Sequence, residues 1–301
     1  MQSNRARFLA ALLAALCVLA LSLACSKSLD DEEDAAEGAG GDEASEVATT
    51  PYKPSGQEGS IAGTITFSGA APAPRAISMD QDPVCAGSSA DAKAEDIVVN
   101  GDKLQNVFVY VKEGKIGDKS VSGFSFAPPP QAAVLDQKGC RYVPHVMGVQ
   151  ANQKLSVLNS DATSHNVNAQ AEKNQKFNQG QGPGAAPIEK TFTRAETLIP
   201  VKCNQHPWMR AYVGVLSHPF FAVTDQNGSF EIKGVPAGTY TLVAWHEKYP
   251  QGLTQTVTVA ASESKQQNFS FTPEQLKAES VEGGALKVMP AIEFPMLGAH
   301  H

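Results

Sequence analysis

The chain has 301 residues, 42% of them hydrophobic, with five cysteines and a net charge of −7. Residues 25–58 hold ten acids and two lysines, whereas residues 59–301 hold twenty-one acids and twenty Lys/Arg, so the acidity belongs to one short segment. The rest is nearly neutral, long enough for one large domain or two small ones, and lacks the basic stripe that a nucleic-acid surface needs.

In chain order, Arg5 and Arg7 give a short basic start, and Phe8 to Leu23 is an apolar run of sixteen residues. That is shorter than the roughly twenty residues of a spanning helix. Ser22-Leu23-Ala24 closes the run in a small-x-small pattern, so residues 1–24 read as an export signal peptide. Cys25, directly after Ala24, resembles the acylated cysteine of bacterial lipoproteins, with Ser22 standing where that pattern prefers leucine. The resemblance implies a lipid at Cys25 and an exported, membrane-anchored protein facing the periplasm or the cell surface. Residues 25–58 run from Asp30-Asp31-Glu32-Glu33-Asp34 into Gly, Ala, Ser, Glu and Pro. Such a stretch buries too little apolar surface to offset its ordering entropy and is expected to be a disordered tether.

The body is patterned as strands. Ile61, Gly63, Ile65 and Phe67 alternate, as do Val107, Val109 and Val111, and Leu155, Val157 and Asn159. Further strands are predicted at Thr191–Thr193, Ile199–Val201 and Ala211–Val215. Turn signals fall at Asn100-Gly101, Gly117-Asp118, Pro128-Pro129-Pro130 and Asn227-Gly228. No sustained amphipathic helix is evident, and the expected fold is all-β, of sandwich type. The tail at 276–301 is sparse in strand pattern.

Chemistry concentrates in two places. Residues 203–209 read Cys-Asn-Gln-His-Pro-Trp-Met, and residues 164–167 read Ser-His-Asn-Val. One thiolate, two imidazoles and one thioether form the ligand set of an electron-transfer copper site, a trigonal His₂Cys plane with a weak axial Met. Cys203, His206 and Met209 can project from one tight loop, and His165 must arrive from elsewhere to close the site. A structural zinc site would want a further Cys/His pair, which the chain lacks. A Cys–His nucleophile is the other reading, although catalytic partners are usually joined by the fold and not by adjacency.

These residues resemble the copper site of the cupredoxins, and the short C-x-x-H-P-x-M loop is similar to that of amicyanin. The resemblance implies one type 1 copper in a Greek-key β-sandwich. It also implies that Asn166 ties the His165 loop to the cysteine loop, and that Pro207 and Trp208 lie with His206 at an apolar patch where a redox partner docks. A second resemblance lies at 222–271, where Ala-Val-Thr-Asp-Gln-Asn-Gly-Ser-Phe-Glu-Ile and Val-Pro-Ala-Gly-Thr-Tyr-Thr-Leu-Val-Ala are similar to the carboxypeptidase regulatory-like (transthyretin-like) module. Fifty residues are too few for that whole module, and Gly59–Phe67 with Asn106–Val111 resemble its opening. One organisation follows in which 59–118 joins 218–275 in a transthyretin-like sandwich and a cupredoxin at 119–217 is inserted between. The alternative is a long cupredoxin followed by a partial sandwich. The combination is similar to exported bacterial proteins labelled methylamine-utilisation-like, a family name that shows no role in amine metabolism.

The remaining cysteines follow from the same frame. Cys17 leaves with the signal. If Cys203 holds metal, Cys85 and Cys140 remain for a disulfide in an oxidising compartment, the other reading being two buried thiols. His145 reads as a hydrogen-bonded structural residue or a metal contact with Met147. His246 and Glu247 read as a strand end, His218 as a connector residue, and His300-His301 as an adventitious metal site. Three function classes are compatible: a non-enzymatic electron carrier with a c-type cytochrome or dehydrogenase as redox partner, a copper-delivery protein, or a copper oxidoreductase. Delivery is disfavoured by the absence of a Met-rich run, and an oxidoreductase by the absence of a second His-x-His cluster.

Overall fold

The structure is a computed structural model that describes residues 49–88 and 92–274. The expected signal peptide at 1–24, the acylated Cys25 and the tail at 276–301 lie outside the described residues. The 25–58 tether differs from expectation over its last part. There Thr50–Pro51 pairs with Phe124–Ser125, and the Tyr52 ring packs at 5.0 Å against Phe126.

The alternation at 59–67 becomes the strand Gly59–Phe67, which turns Ile61, Ile65 and Phe67 inward. It lies antiparallel to Ser229–Val235, with Ile61 opposite Ile232, and parallel to Ser264–Gln266 and Phe269–Phe271. A second sheet runs in the order Phe221–Val223, Phe108–Ile116, Gly238–His246, Tyr249–Val259. The two sheets enclose Ile61, Ile65, Val109, Val111, Ile232, Leu242 and Phe271. Hairpin chemistry is local: Asp225 Oδ1 accepts from the N–H groups of Asn227 and Ser229, and Gly228 takes the positive φ that this turn requires.

The strands between 133 and 216 form another sandwich. One sheet has the order Val146–Gln150, Arg210–Leu216, Glu196–Lys202, His165–Ala169, Phe177–Gln181. The other has Ile188–Thr191, Lys154–Asn159, Ala133–Gln137, Tyr142–Val143. Among the described residues these strands pair only with one another, and 59–67 pairs only outside them. The strand expected at Thr191–Thr193 ends at Thr191, because Asn174 Oδ1 captures the N–H groups of Thr193 and Arg194. Residues 119–120 also differ from the expected boundary. They pair back onto Phe108–Ile116, and Val121 sits in the first core.

A third cluster joins the sandwiches. Phe108, Tyr110, Val243 and Trp245 meet Val146, Leu198 and Leu216. Gly148 and Gly214 stand opposite each other on neighbouring strands, and a Cβ on Gly214 would come within 2.6 Å of the Phe108 ring. The glycine pair is therefore the seat of that ring.

Residues 76–94 were expected in the first sandwich. Instead Met79, Cys85 and Ala92 pack with Cys140 of the second, beside Trp208. The segment is closed at its base by Ile77 N–H to Ala92 O and Ala94 N–H to Arg75 O, both 2.8 Å. It carries the short helix Pro83–Ser88, whose preceding Asp82 accepts from the N–H groups of Val84 and Cys85. Asp followed by Pro is a favoured way to begin a helix. Cys85 and Cys140 are joined by a disulfide, with Cα atoms 5.5 Å apart.

Candidate metal centre

Glu196–Lys202 and Arg210–Leu216 run antiparallel with Lys202 opposite Arg210, so residues 203–209 form the loop at their end. Two backbone bonds close it: Cys203 N–H to Met209 O at 3.2 Å and Met209 N–H to His206 O at 2.9 Å. Cys203 and Met209 face inward as part of the sandwich core. The neighbouring strand His165–Ala169 pairs Asn168 with Lys202, which brings its first residue beside the loop.

The side chains converge. His165 Nδ1 and His206 Nδ1 are 2.9 Å apart, and Cys203 Sγ is 3.7 Å from His206 Nδ1. Ligand atoms of His165, Cys203 and His206 all lie within 4.8 Å of one another. The set is closed to solvent, with exposures of 0% for His165, 2% for Cys203, 4% for His206 and 1% for Met209.

The far sides of both imidazoles are held. His165 Nε2 donates to Asp161 Oδ2 at 2.9 Å, and His206 Nε2 donates to Asp82 Oδ2 at 3.3 Å. A carboxylate only accepts, so in the neutral rings hydrogen resides on Nε2 and the Nδ1 lone pairs face each other. Two lone pairs 2.9 Å apart beside a buried sulfur form an acceptor set that a cation satisfies. Burial is the largest influence on His165 and lowers its pKa despite the Asp161 hydrogen bond, which favours the neutral ring. A hydrogen bond from Thr163 Oγ1, opposed by burial and joined by the N–H groups of Cys85 and Val84, holds Asp82 down to about 2 and therefore anionic.

Asn166 braces both ligand loops. Its N–H points at Cys203 Sγ at 3.4 Å, its side-chain oxygen accepts from Asn204 N–H, and its carbonyl accepts from Tyr142 Oη at 2.5 Å. Pro207 is exposed and Trp208 is half-buried, donating from Nε1 to Cys140 O at 3.0 Å. His206, expected at the surface beside Pro207 and Trp208, is itself buried. His206 lies under Asp82 with Cys85 Sγ 4.0 Å from its Nε2, and the cleft beside Trp208 is lined by Arg75, Glu95, Arg141, Arg210, Glu247 and Lys248.

Sequence reasoning missed Asp82 and Asp161. Asp161 had a local signal, standing four residues before His165. Asp82 had only its Asp-Pro helix start, which says nothing of a histidine 124 residues away. Two other described histidines have structural partners: His145 Nε2 contacts Glu247 Oε1 at 2.6 Å, and Lys248 N–H donates to His246 Nδ1 at 3.2 Å; His300 and His301 lie outside the described residues. His218, expected as a connector residue, is buried and stacked 5.3 Å from Phe220, and burial pushes its pKa down to about 4.

The carboxypeptidase regulatory-like domain matches residues 205–272. No curated protein matches the chain. Among solved structures, a purple cupredoxin from Nitrosopumilus maritimus is similar at 18% identity over 28% of this chain and 98% of its own, with a TM-score of 0.24. The oxidised P94A mutant of amicyanin is similar at 25% identity over 28% of this chain and 81% of its own, with a TM-score of 0.26. A copper-containing nitrite reductase from Thermus scotoductus SA-01 is similar at 16% identity over 40% of this chain and 25% of its own, with a TM-score of 0.27. All three scores lie below 0.5, and the ligand geometry alone carries the functional reading.

Proposed function

We propose that the chain is a type 1 copper protein that carries single electrons between redox partners and performs no catalysis itself. One observation carries this: His165 Nδ1, His206 Nδ1 and Cys203 Sγ converge in a buried pocket while both Nε2 atoms are held by carboxylates. His165, His206 and Cys203 would hold the copper, and Met209, buried on the same loop, would supply a weak thioether donor. Bound copper would supply a one-electron couple. The protein's part is to fix the ligands from two sandwich loops, so that little rearranges when the charge changes, and to exclude water.

Trp208, whose ring lies 5.0 Å from that of His206, also lines the cleft. A partner such as a c-type cytochrome or dehydrogenase would dock there, against Pro207 and a charged rim, through a small transient contact. The inserted organisation, with 59–118 and 218–275 framing the copper sandwich, makes the first sandwich a platform for it. Export and anchoring through Cys25 belong to the same reading and rest on Arg5 to Cys25. Cys25→Ala should release the protein from the membrane fraction.

The optical and spin-resonance spectra of copper-loaded protein test the centre. Intense thiolate-to-copper absorption with narrow copper hyperfine splitting is expected, and Cys203→Ser should abolish the band because a hydroxyl supplies no thiolate charge transfer. A full band in Cys203→Ser would eliminate the type 1 assignment.

A further inference from the structure

We propose that Asp82 is a positioning residue for His206, and that residues 76–88, which carry it, cap the candidate metal centre and are stapled to it by the Cys85–Cys140 disulfide. The inference rests on the copper reading for its function, but the geometry behind it stands without metal.

The Asp82 carboxylate serves two structures at once. Oδ1 accepts from the first N–H groups of its own helix, Val84 and Cys85. Helix capping needs nothing more. Oδ2 instead accepts from Thr163 Oγ1 at 2.7 Å and from His206 Nε2 at 3.3 Å. Thr163 lies on the loop that delivers His165, and His206 lies on the cysteine loop. One side chain from the cap therefore joins both ligand loops.

The disulfide repeats that arrangement at its other end. Cys85 N–H donates to Asp82, which holds His206. Cys140 N–H donates to Asp161 Oδ2 at 2.8 Å, which holds His165 at 2.9 Å. Each half-cystine thus supports the carboxylate that orients one ligand, and the S–S bond ties the two clamps together. Both half-cystines are fully buried, and Cys85 Sγ lies 4.0 Å from His206 Nε2, closing the face by which solvent would reach that ring. Outer partners of this kind fix the tautomer and raise the basicity of a ligating imidazole. An anion beside Nε2–H makes Nδ1 a stronger donor, which favours the more highly charged state of a bound ion. The cap also keeps small outside anions from the centre.

The test uses Asp82→Ala and Asp82→Asn, with Asp80→Ala as control. Asp80 lies in the same segment and bonds Ser78, so its removal deletes the same charge without touching His206. In the copper-loaded protein, both Asp82 variants should raise the reduction potential, and azide should perturb the visible band only when Asp82 is lost. Asp82→Glu, which keeps the anion, should recover part of the shift. In metal-free protein, NMR of isotope-labelled histidine should show His206 with hydrogen on Nε2, lost or exchanging in Asp82→Ala and unchanged in Asp80→Ala. An Asp82→Ala protein whose His206 signals match the wild type overturns the clamp, whether or not copper is bound. Equal potential shifts from Asp80→Ala and Asp82→Ala would reduce it to a general charge effect. A protein with the expected histidine signals but no thiolate–copper band would leave the clamp standing and remove the copper reading instead.

Discussion

Asn204 donates its backbone N–H to the side-chain oxygen of Asn166 at 2.5 Å, and so ties the residue after one candidate ligand, Cys203, to the residue after another, His165. The same Asn166 directs its own N–H at Cys203 Sγ at 3.4 Å. The sulfur is therefore placed by a residue of the opposite loop.

Asn166→Ala should keep the fold, because it deletes only a side chain at a sheet end. It should weaken metal retention by about 10–100-fold, the usual cost of losing such an outer partner. Competition titration against a chelator measures it. Unaltered affinity would mean that the Cys203–Met209 backbone bonds suffice to hold the loop.

The thioether offers a second test. Met209 is buried in the core with Cys203 on the same loop. An axial thioether tunes the potential without defining the plane. Met209→Leu should keep copper and colour while raising the potential, because loss of a donor disfavours Cu(II). Met209→Gln should lower it, because an oxygen donor favours Cu(II). If Met209 only packs behind Trp208, both variants lose stability and the potential stays fixed.

What could be read from the chain was whatever spacing or alternation encodes. Cys203, His206 and Met209 stand together because a seven-residue loop holds them, and His165 was betrayed by its Asn166. The strand at 59–67 was legible from its period-two burial. The cap at 76–88 was not, because it has no period and its place is set by contacts far away in sequence. Only Cys85 hinted at its destination. The exposure of His206 was misjudged for the same reason: nothing in 203–209 records that Asp82 will cover the ring.

His145 and Glu247 lead to a pH prediction. His145 Nδ1 faces Arg210 O at 3.0 Å and Nε2 faces Glu247 Oε1 at 2.6 Å, while Glu247 Oε2 accepts from Tyr212. Both ring nitrogens meet acceptors, an arrangement that favours the imidazolium. Burial pushes its pKa down, but the hydrogen bond and charge of Glu247 overcome it, and the folded value lies above the ordinary 6.5. A raised folded pKa gives stability that is complete below the unfolded value and lost as pH rises through the folded one. The advantage of the wild type over His145→Gln/Glu247→Gln in urea unfolding should therefore be greatest below the ordinary histidine value and shrink as pH rises through the raised folded one. A constant difference would show that the pair acts by packing alone.

The joint between the sandwiches is tested at Gly214. It stands opposite Gly148, and the Phe108 ring of the other sandwich fills the space that two side chains would take. A Cβ at 214 would sit 2.6 Å from Phe108 Cζ, and Phe108 is fully buried with nowhere to swing. Gly214→Ala should cost about 1–3 kcal/mol, the usual range for overpacking. Phe108→Leu alone opens a cavity and should also destabilise. Combined, the smaller ring-site residue gives room to the new methyl, so the double variant should be more stable than the sum of the single losses predicts, by about 0.5–3 kcal/mol. The copper band should stay unchanged in all three, since position 214 lies along the strand from the ligand loop and none of the ligand contacts passes through it. Strict additivity would mean that Phe108 can leave its seat freely, and that the two sandwiches are joined by the surrounding apolar contacts and not by this ring in its glycine socket.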